Sequence, residues 1–189
     1  MAGHAMRAFI AVELPDFLRR EVAALQADFQ SSGADVAWVK QENLHLTLKF
    51  LGDIQEKQVA PLKEAIGAAI GGCTPFDIRL EGIGAFPKTT FPRVIWVGVN
   101  QGEKQLAELA NRVEEACAGL GFPKEERPFS PHLTIGRVRS KDRLAQLIKQ
   151  FQVAEFLASA PASVNRLVLF RSTLSASGSV YAALAEIPL

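Results

Sequence analysis

One short motif occurs twice in this chain and limits the folds that are open to it. Residues 45–48 read HLTL, and residues 132–135 read HLTI. In each copy polar and apolar residues alternate, which is the period of a strand with one buried face. The His and Thr of a copy then lie on one face, roughly 6.6 Å apart along the strand, while the apolar side chains point into a core. Two related strands of this kind could bring two imidazoles to one bound group.

The repetition is hard to attribute to chance. The chain has only three histidines, and two of them, His45 and His132, are followed two residues later by a threonine. A single His-x-Thr would be weak evidence, because a lone histidine in a strand is most often structural or exposed. Two copies that use two of the three histidines indicate a shared functional site.

Composition narrows the class of protein. With 189 residues, 48% of them hydrophobic and 22% charged, the chain suits one globular domain or two small lobes that share a cleft. A net charge of +1 gives no bulk attraction to nucleic acid, so any RNA contact must come from a local patch. The sequence contains no apolar run of about 18 residues, so we expect no membrane span.

The N-terminus and the cysteines favour a cytoplasmic protein. The first apolar stretch is too short and too interrupted for a signal peptide. Cys73 and Cys117 lie in different segments, which fits two small buried residues in a reducing compartment better than a disulfide. Residues 1–6 are predicted to be a flexible start without a role in function. We expect residues 1–189 to form a single bilobal domain.

Hydrophobic periodicity predicts helices and strands in an order that repeats. Helices are expected over Leu18–Phe29, Val59–Ile70, Leu106–Leu120 and Leu144–Phe151, and strands over Arg7–Leu14, Ala37–Val39, Asn43–Leu51, Phe76–Glu81, Val94–Val99, His132–Val138, Arg166–Phe170 and Val180–Ile187. Each motif strand follows a strand and a helix, which indicates a degenerate internal duplication. We therefore predict an α+β fold of two pseudo-symmetric lobes, each an antiparallel sheet with packed helices, around a central cleft.

Two imidazoles and two hydroxyls point to acid–base chemistry on a phosphate ester. Histidine titrates near neutrality, so one ring can take a proton from water while the other gives one to a departing alkoxide. Thr47 and Thr134 could donate hydrogen bonds to the non-bridging phosphoryl oxygens, where charge develops. Arg137, three residues after Thr134, is a candidate cationic phosphate ligand. Lys49 has the predicted facing of His45 and Thr47 and is a weaker candidate.

Other chemistries fit the sequence less well. Neither cysteine is near a histidine and the motif is not His-x-His, so we predict no metal and no cofactor. A serine hydrolase would carry a G-x-S-x-G elbow, which the sequence lacks. Aromatic side chains could stack a nucleobase, although those that flank strands are more often part of a core. The candidates are Phe50, Trp38, Trp96 and Phe129.

Several segments, in the same order along the chain, resemble one family. RAFIAVELP, WVKQENLHLTLKFLG, PRVIWVGV and FSPHLTIGR are similar to the bacterial and archaeal RNA 2′,3′-cyclic phosphodiesterases, also called 2′-5′ RNA ligases, of the 2H phosphoesterase superfamily. The resemblance runs from Arg7 to the closing strand. It implies a bilobal α+β fold and metal-independent opening of a terminal 2′,3′-cyclic phosphate to a 2′-phosphate. It also implies a weak reverse activity that joins tRNA halves through 2′-5′ linkages.

The resemblance further implies roles for the motif residues. His45 becomes the proton donor to the departing 3′-oxygen and His132 the proton acceptor that activates water, with Thr47 and Thr134 as phosphate binders. The expected partner is RNA with a 2′,3′-cyclic phosphate end, bound by a monomer. Two other functions stay open: a 2H enzyme acting on another ester, such as a nucleotide cyclic phosphate or an oligonucleotide, and a non-catalytic RNA-binding module.

Overall fold

The computed structural model describes residues 5–176 and 178–189, which form nine strands and four α-helices. In chain order they are β1 (Met6–Glu13), α1 (Asp16–Gln30), β2 (Val36–Trp38), β3 (His45–Ile54), α2 (Val59–Ile70), β4 (Phe76–Lys88), β5 (Phe91–Gln101), α3 (Glu103–Gly119), β6 (His132–Val138), α4 (Leu144–Val153), β7 (Ala162–Val164), β8 (Arg166–Ser175) and β9 (Gly178–Pro188). Short 3-10 turns at Gln41–Asn43 and Glu56–Gln58 precede β3 and α2. Of the predicted flexible start, residues 1–4 lie outside the described residues, whereas Met6 already belongs to β1.

Two antiparallel sheets hold the two motif strands in equivalent places. The first sheet has the strand order β3-β1-β8-β9 and the second the order β2-β6-β5-β4-β7. In both sheets the motif strand pairs with the strand that precedes the intervening helix: β3 with β1, and β6 with β5. The next strands, β8 and β4, also correspond, and β2 is an addition to the second sheet. The predicted α+β fold with two pseudo-symmetric antiparallel sheets is confirmed.

The four helices bury the apolar stripes that the sequence predicts, because a spacing of three or four residues places those side chains on one face. In α1 the buried stripe comprises Leu18, Val22, Leu25 and Phe29. One contiguous apolar core joins the helices to the inward residues of both sheets. Both cysteines are free, as expected; Cys73 is half-buried rather than buried, while burial raises the pKa of the Cys117 thiol to about 11. Among the described residues, no helix combines the length and the apolar character needed to cross a membrane.

The strands run further than the sequence predicts. The first motif strand was expected to end at Leu51, but Gly52 and Asp53 also lie inside β3, where Gly52 adopts a φ of +70° beside a bulge at Leu51. Strand β4 extends to Lys88 and β5 begins at Phe91, so a tight hairpin joins them in place of the longer gap between the predicted bounds Glu81 and Val94. Strand β7 was not predicted, since a strand of three residues carries too little periodicity to be recognised.

A bulge directly after Thr47 changes the facing of β3. Ile10 of β1 pairs with Lys49 and the next residue of β1 pairs with Thr47, so Leu48 has no partner. Because side chains alternate along a strand, one extra residue reverses the facing of those that follow. Lys49 therefore points into the core, and its predicted place beside the motif histidine is wrong.

The other motif strand, β6, has a bulge at the same place. It leaves Ile135 without a partner on β5. Gly136 takes the inward position that Lys49 has in β3, and a Cβ there would lie within 3 Å of side chains of β2. The following residues, Phe50 in β3 and Arg137 in β6, return to the face of the motif histidines and are exposed. The two motif strands thus have the same backbone course and different side chains after the bulge.

Lys49 is a buried structural residue. It is only 2% exposed. Its Nζ lies 2.8 Å from Oε1 of Glu114 on α3 and donates a hydrogen bond of 2.9 Å to the carbonyl of Pro123. A buried ammonium group is tolerated when it is paired and hydrogen-bonded in this way. Since α3 connects β5 to β6 of the second sheet, the ion pair joins the two halves of the chain.

Lys49→Ala should destabilise the protein by about 3 kcal/mol, because it leaves the carboxylate of Glu114 without its partner. Replacing both groups, as in Lys49→Met with Glu114→Leu, should recover most of that loss. Urea unfolding measures both variants. Turnover per folded molecule should stay close to that of the wild type, since Lys49 does not face the cleft. A stable Lys49→Ala protein with a strongly raised KM would instead indicate that Lys49 contacts the substrate.

Candidate active site

The two sheets approach each other along their motif strands. Residues of β3 and β6 come within 8 Å of each other between Cα atoms. His45 and His132 are the first residues of these strands, and they are half-buried, as are Thr47 and Thr134. The apolar residues between them are buried in the core. The predicted alternation is therefore confirmed in both motifs.

Both imidazoles are held by the backbone in the same way. His45 Nδ1 is bonded to the carbonyl of Asn43 at 2.6 Å, and His132 Nδ1 to the carbonyl of Ser130 at 2.7 Å. A carbonyl can only accept, so Nδ1 carries the proton and Nε2 is left to exchange one with a ligand. Neither partner could be predicted from the sequence, because a backbone carbonyl has no side-chain signature.

The His45 ring lies against aromatic side chains from other strands. Its centroid is 4.7 Å from that of Phe9 on β1 and 5.2 Å from that of Tyr181 on β9, which meets it edge-on. Burial is the main reason that the pKa of His45 lies below that of a free histidine. The hydrogen bond to Asn43 opposes this shift, and the positive charge of Arg19 adds to it. Tyr181, in the closing strand of the chain, thus contacts a candidate catalytic ring.

His132 has a different aromatic environment. Phe86 meets its ring edge-on with centroids 5.0 Å apart, and the ring of Trp96 is 6.4 Å away. Trp96 pairs with Thr134 across β5 and β6. Its indole lies over Gly84, where an added Cβ would be 2.1 Å from the ring. The missing side chain at Gly84 is what allows Trp96 to lie flat on the sheet beside the motif.

A cavity of about 320 Å³ adjoins His45. Arg19, Lys40, Asn43 and Tyr181 contribute to its wall. None of the described residues of the second motif lines this cavity. It therefore stays a prediction that the imidazoles of His45 and His132 both reach one phosphate.

The remaining candidates occupy distinct environments. Thr47 and Thr134 share the faces of their histidines, and Arg137 is exposed on the same face of β6; their contact with a phosphate stays a prediction. No group of three or more His, Cys, Asp or Glu side chains is placed to hold a metal ion within residues 5–176 and 178–189. Of the aromatic candidates, Phe50 and Trp96 lie near the motifs. The other two, Trp38 and Phe129, pack against the core.

Two sheets with paired His-x-Thr strands are the architecture expected of the 2H phosphoesterases. A family model described as the 2′-5′ RNA ligase superfamily matches residues 14–175. The proteins named RNA 2′,3′-cyclic phosphodiesterase from Methanothermobacter thermautotrophicus and Methanocaldococcus jannaschii are 37% identical over 179 residues and 35% identical over 184 residues. These matches cover 93% and 96% of this chain, and 95% and 99% of the relatives. The chain belongs to the 2′-5′ RNA ligase superfamily.

Solved structures agree with the fold. The crystal structure of TT0787 of Thermus thermophilus matches with a TM-score of 0.80 and 27% identity, over 97% of this chain and 98% of that one. The structure of E. coli LigT complexed with 3′-AMP matches with a TM-score of 0.78 and 24% identity, over 98% of this chain and 99% of that one. The bilobal α+β architecture expected from the sequence is thus that of known proteins.

His45 should titrate at a lower pH than a free histidine, because burial disfavours its charged ring. On acidification the unfolded chain then takes up this proton first. The stability that neutral His45 contributes is complete above the unfolded pKa and is lost as the pH falls through the folded pKa. Ring NMR signals followed against pH measure the titration. His45→Gln should lose less stability than the wild type between neutral and mildly acidic pH; equal losses would argue against a buried neutral ring.

Proposed function

We propose that this protein hydrolyses the terminal 2′,3′-cyclic phosphate of RNA to a 2′-phosphate, with two histidines as acid and base and without a metal ion. The observation that carries the proposal is the duplicated imidazole: in both motifs a backbone carbonyl binds Nδ1 and leaves Nε2 for proton exchange. Relatives that match nearly the whole chain, at 37% and 35% identity, are named RNA 2′,3′-cyclic phosphodiesterase. The same activity is the simplest assignment for this chain.

Hydrolysis needs a base and an acid on opposite sides of phosphorus, because the attacking and leaving oxygens are in line. His132 Nε2 takes a proton from water as the water oxygen forms its bond to phosphorus. The bond between phosphorus and the 3′-oxygen breaks, and His45 Nε2 gives that oxygen a proton. The product carries a 2′-phosphate and a 3′-hydroxyl. One proton has left His45 and one has reached His132, so exchange with solvent restores both rings.

His45 depends on bound substrate to act as the acid. Burial lowers its pKa and so favours the neutral ring in the free protein, although a ring that is protonated gives up its proton readily. The anionic diester brings the negative charge that favours the protonated ring while substrate is bound. The hydroxyls of Thr47 and Thr134 and the guanidinium of Arg137 donate hydrogen bonds to the non-bridging oxygens, where charge grows during attack.

The substrate that we propose is RNA with a 2′,3′-cyclic phosphate end, tRNA halves included. We infer that a monomer binds it and that the two lobes act as one domain. With a 5′-hydroxyl in place of water, the same two proton transfers join two RNA ends through a 2′-5′ linkage. Ligation then requires no catalytic group beyond those used in hydrolysis.

RNA that ends in a 2′,3′-cyclic phosphate should be converted to a 2′-phosphate, as measured by end-group analysis. His45→Ala and His132→Ala should each lower turnover by about 10²–10⁴-fold, because each removes one proton transfer. Thr47→Ala and Thr134→Ala should lower it less, and all four variants should stay folded. RNA binding without turnover would favour a non-catalytic module. Turnover of cyclic mononucleotides alone would favour another ester as the substrate.

Turnover should be unchanged by EDTA, because the two imidazoles supply both proton transfers. The control is the same reaction with excess Mg²⁺ or Mn²⁺, which should not accelerate it. Loss of activity on chelation, with recovery when a divalent ion is added back, would contradict the metal-independent mechanism.

A substrate with sulfur in place of the 3′-oxygen should separate the roles of the two histidines. A thiolate departs without a proton, so this substrate should restore turnover to His45→Ala far more than to His132→Ala. The rate is measured under single-turnover conditions, with the oxygen substrate as control. Selective rescue of His132→Ala would exchange the assigned roles, and a 3′-phosphate product from the wild type would remove their basis.

A further inference from the structure

The 3-10 turn before β3 contains a residue that the proposed mechanism does not use. Asn43 ends this turn, two residues before His45. Its carbonyl is bonded to His45 Nδ1 at 2.6 Å, and its side-chain Nδ2 donates a hydrogen bond of 2.7 Å to the carbonyl of Ser179. Ser179 lies at the start of β9, 136 positions along the chain. One residue therefore links the imidazole to a strand from the other end of the sequence.

We propose that Asn43 is a positioning residue for His45, whose side-chain amide anchors the peptide that orients the imidazole. The proposal rests on the proposed role of His45 in proton transfer. A carbonyl in an unanchored turn can rotate away from Nδ1, and the ring then has no preference for Nε2 as the exchanging atom. Tying the side chain of the same residue to another strand restrains that rotation.

The second motif fixes its carbonyl in another way. The carbonyl that holds His132 belongs to Ser130, and the next residue is Pro131. The proline ring fixes its own φ and restricts the backbone of the residue before it to extended conformations. The first motif has Leu44 at the corresponding position, where no such covalent restriction exists. In the first motif the side chain of Asn43 therefore restrains the carbonyl, whereas in the second motif the proline that follows Ser130 does so.

The anchor point of the tether is part of a sheet. Ser179 pairs with Leu174 of β8, so the carbonyl that accepts the amide of Asn43 is held by strand pairing rather than by a loop. Two residues further on, Tyr181 meets the His45 ring edge-on, with centroids 5.2 Å apart. The start of β9 therefore contacts the imidazole through Tyr181 and restrains its backbone partner through Asn43.

Asn43→Ala tests the proposal directly through the state of the ring. The ¹⁵N signals of wild-type His45 should report a proton on Nδ1. In Asn43→Ala they should shift toward a mixture of the two neutral forms, while those of His132 stay unchanged. An unchanged His45 tautomer in Asn43→Ala would overturn the proposal, whatever substrate the protein turns over.

Gln150→Ala is the matched control for this experiment. Its side-chain amide also donates a hydrogen bond to a distant segment, since Gln150 Nε2 lies 3.1 Å from the hydroxyl of Ser31. Gln150 is on helix α4, outside both motif strands, β3 and β6. The tautomers of His45 and His132 should both be unchanged in Gln150→Ala. A shift of the His45 signals in this control would show that loss of any long-range amide contact disturbs the ring, and would refute a specific role of Asn43.

Turnover of RNA with a cyclic phosphate end gives the second readout. Asn43→Ala should lower kcat by roughly 10–100-fold with little change in KM, because misplacing a proton donor slows the chemical step. In a His45→Ala background the same substitution should have no further effect, whereas in a His132→Ala background the full loss should remain. Equal losses in both backgrounds would show a structural role and refute the positioning role.

Asn43→Asp keeps the size of the side chain but cannot donate a hydrogen bond to the Ser179 carbonyl. This second variant tests the proposal if Asn43→Ala does not fold. Folding of each variant is checked by urea unfolding. Asn43→Asp should show the same change of tautomer and the same pattern in the two histidine backgrounds. A folded Asn43→Asp protein with the wild-type His45 signals and wild-type kcat would end the proposal. If the wild type itself leaves the cyclic phosphate intact, the proposed function fails while the tautomer comparison still decides the role of Asn43.

Discussion

One extra residue after each motif threonine decides what the two strands present to each other and to a ligand. Before the bulge, His and Thr share the accessible face; after it, the facing reverses. In β3 this turns Lys49 inward, where it forms the ion pair with Glu114 that joins the halves. In β6 the same position is Gly136, which leaves room for β2. The next residues, Phe50 and Arg137, face outward again, so the exposed surface beyond the bulge is aromatic on one strand and cationic on the other.

The two sheets also exchange strands, which makes the halves mutually dependent. The chain leaves the first motif strand, passes through α2 and enters the second sheet as β4; it leaves the second motif strand, passes through α4 and β7, and enters the first sheet as β8. Each sheet therefore contains strands from both repeats of the sequence. A single apolar core covers the inward faces of both sheets. The motif strands are held against each other by this exchange as well as by their own contacts.

The symmetry of the backbone does not extend to the electrostatics. Both histidines use the same Nδ1-to-carbonyl bond, two residues back along the chain. His45 is half-buried against Phe9 and Tyr181, and burial lowers its pKa. His132 lies against a different pair of aromatic rings, Phe86 and Trp96. The nearly symmetric backbone thus places its two motif histidines in different aromatic surroundings.

The helices, most of the strands and the alternation of the two motifs could be predicted from the sequence, because the periods of 3.6 and 2 residues are local properties. The two candidate histidines could be selected from the sequence as well, since recognising a duplicated motif needs no knowledge of contacts; their catalytic role stays a prediction. The inward direction of the Lys49 side chain could not be predicted. Its partner Glu114 is 65 positions away, and the bulge that turns Lys49 inward depends on pairing with β1. The tether of Asn43, whose acceptor is 136 positions away, likewise required the folded chain, since burial and hydrogen bonding between distant segments leave no periodic trace in the sequence.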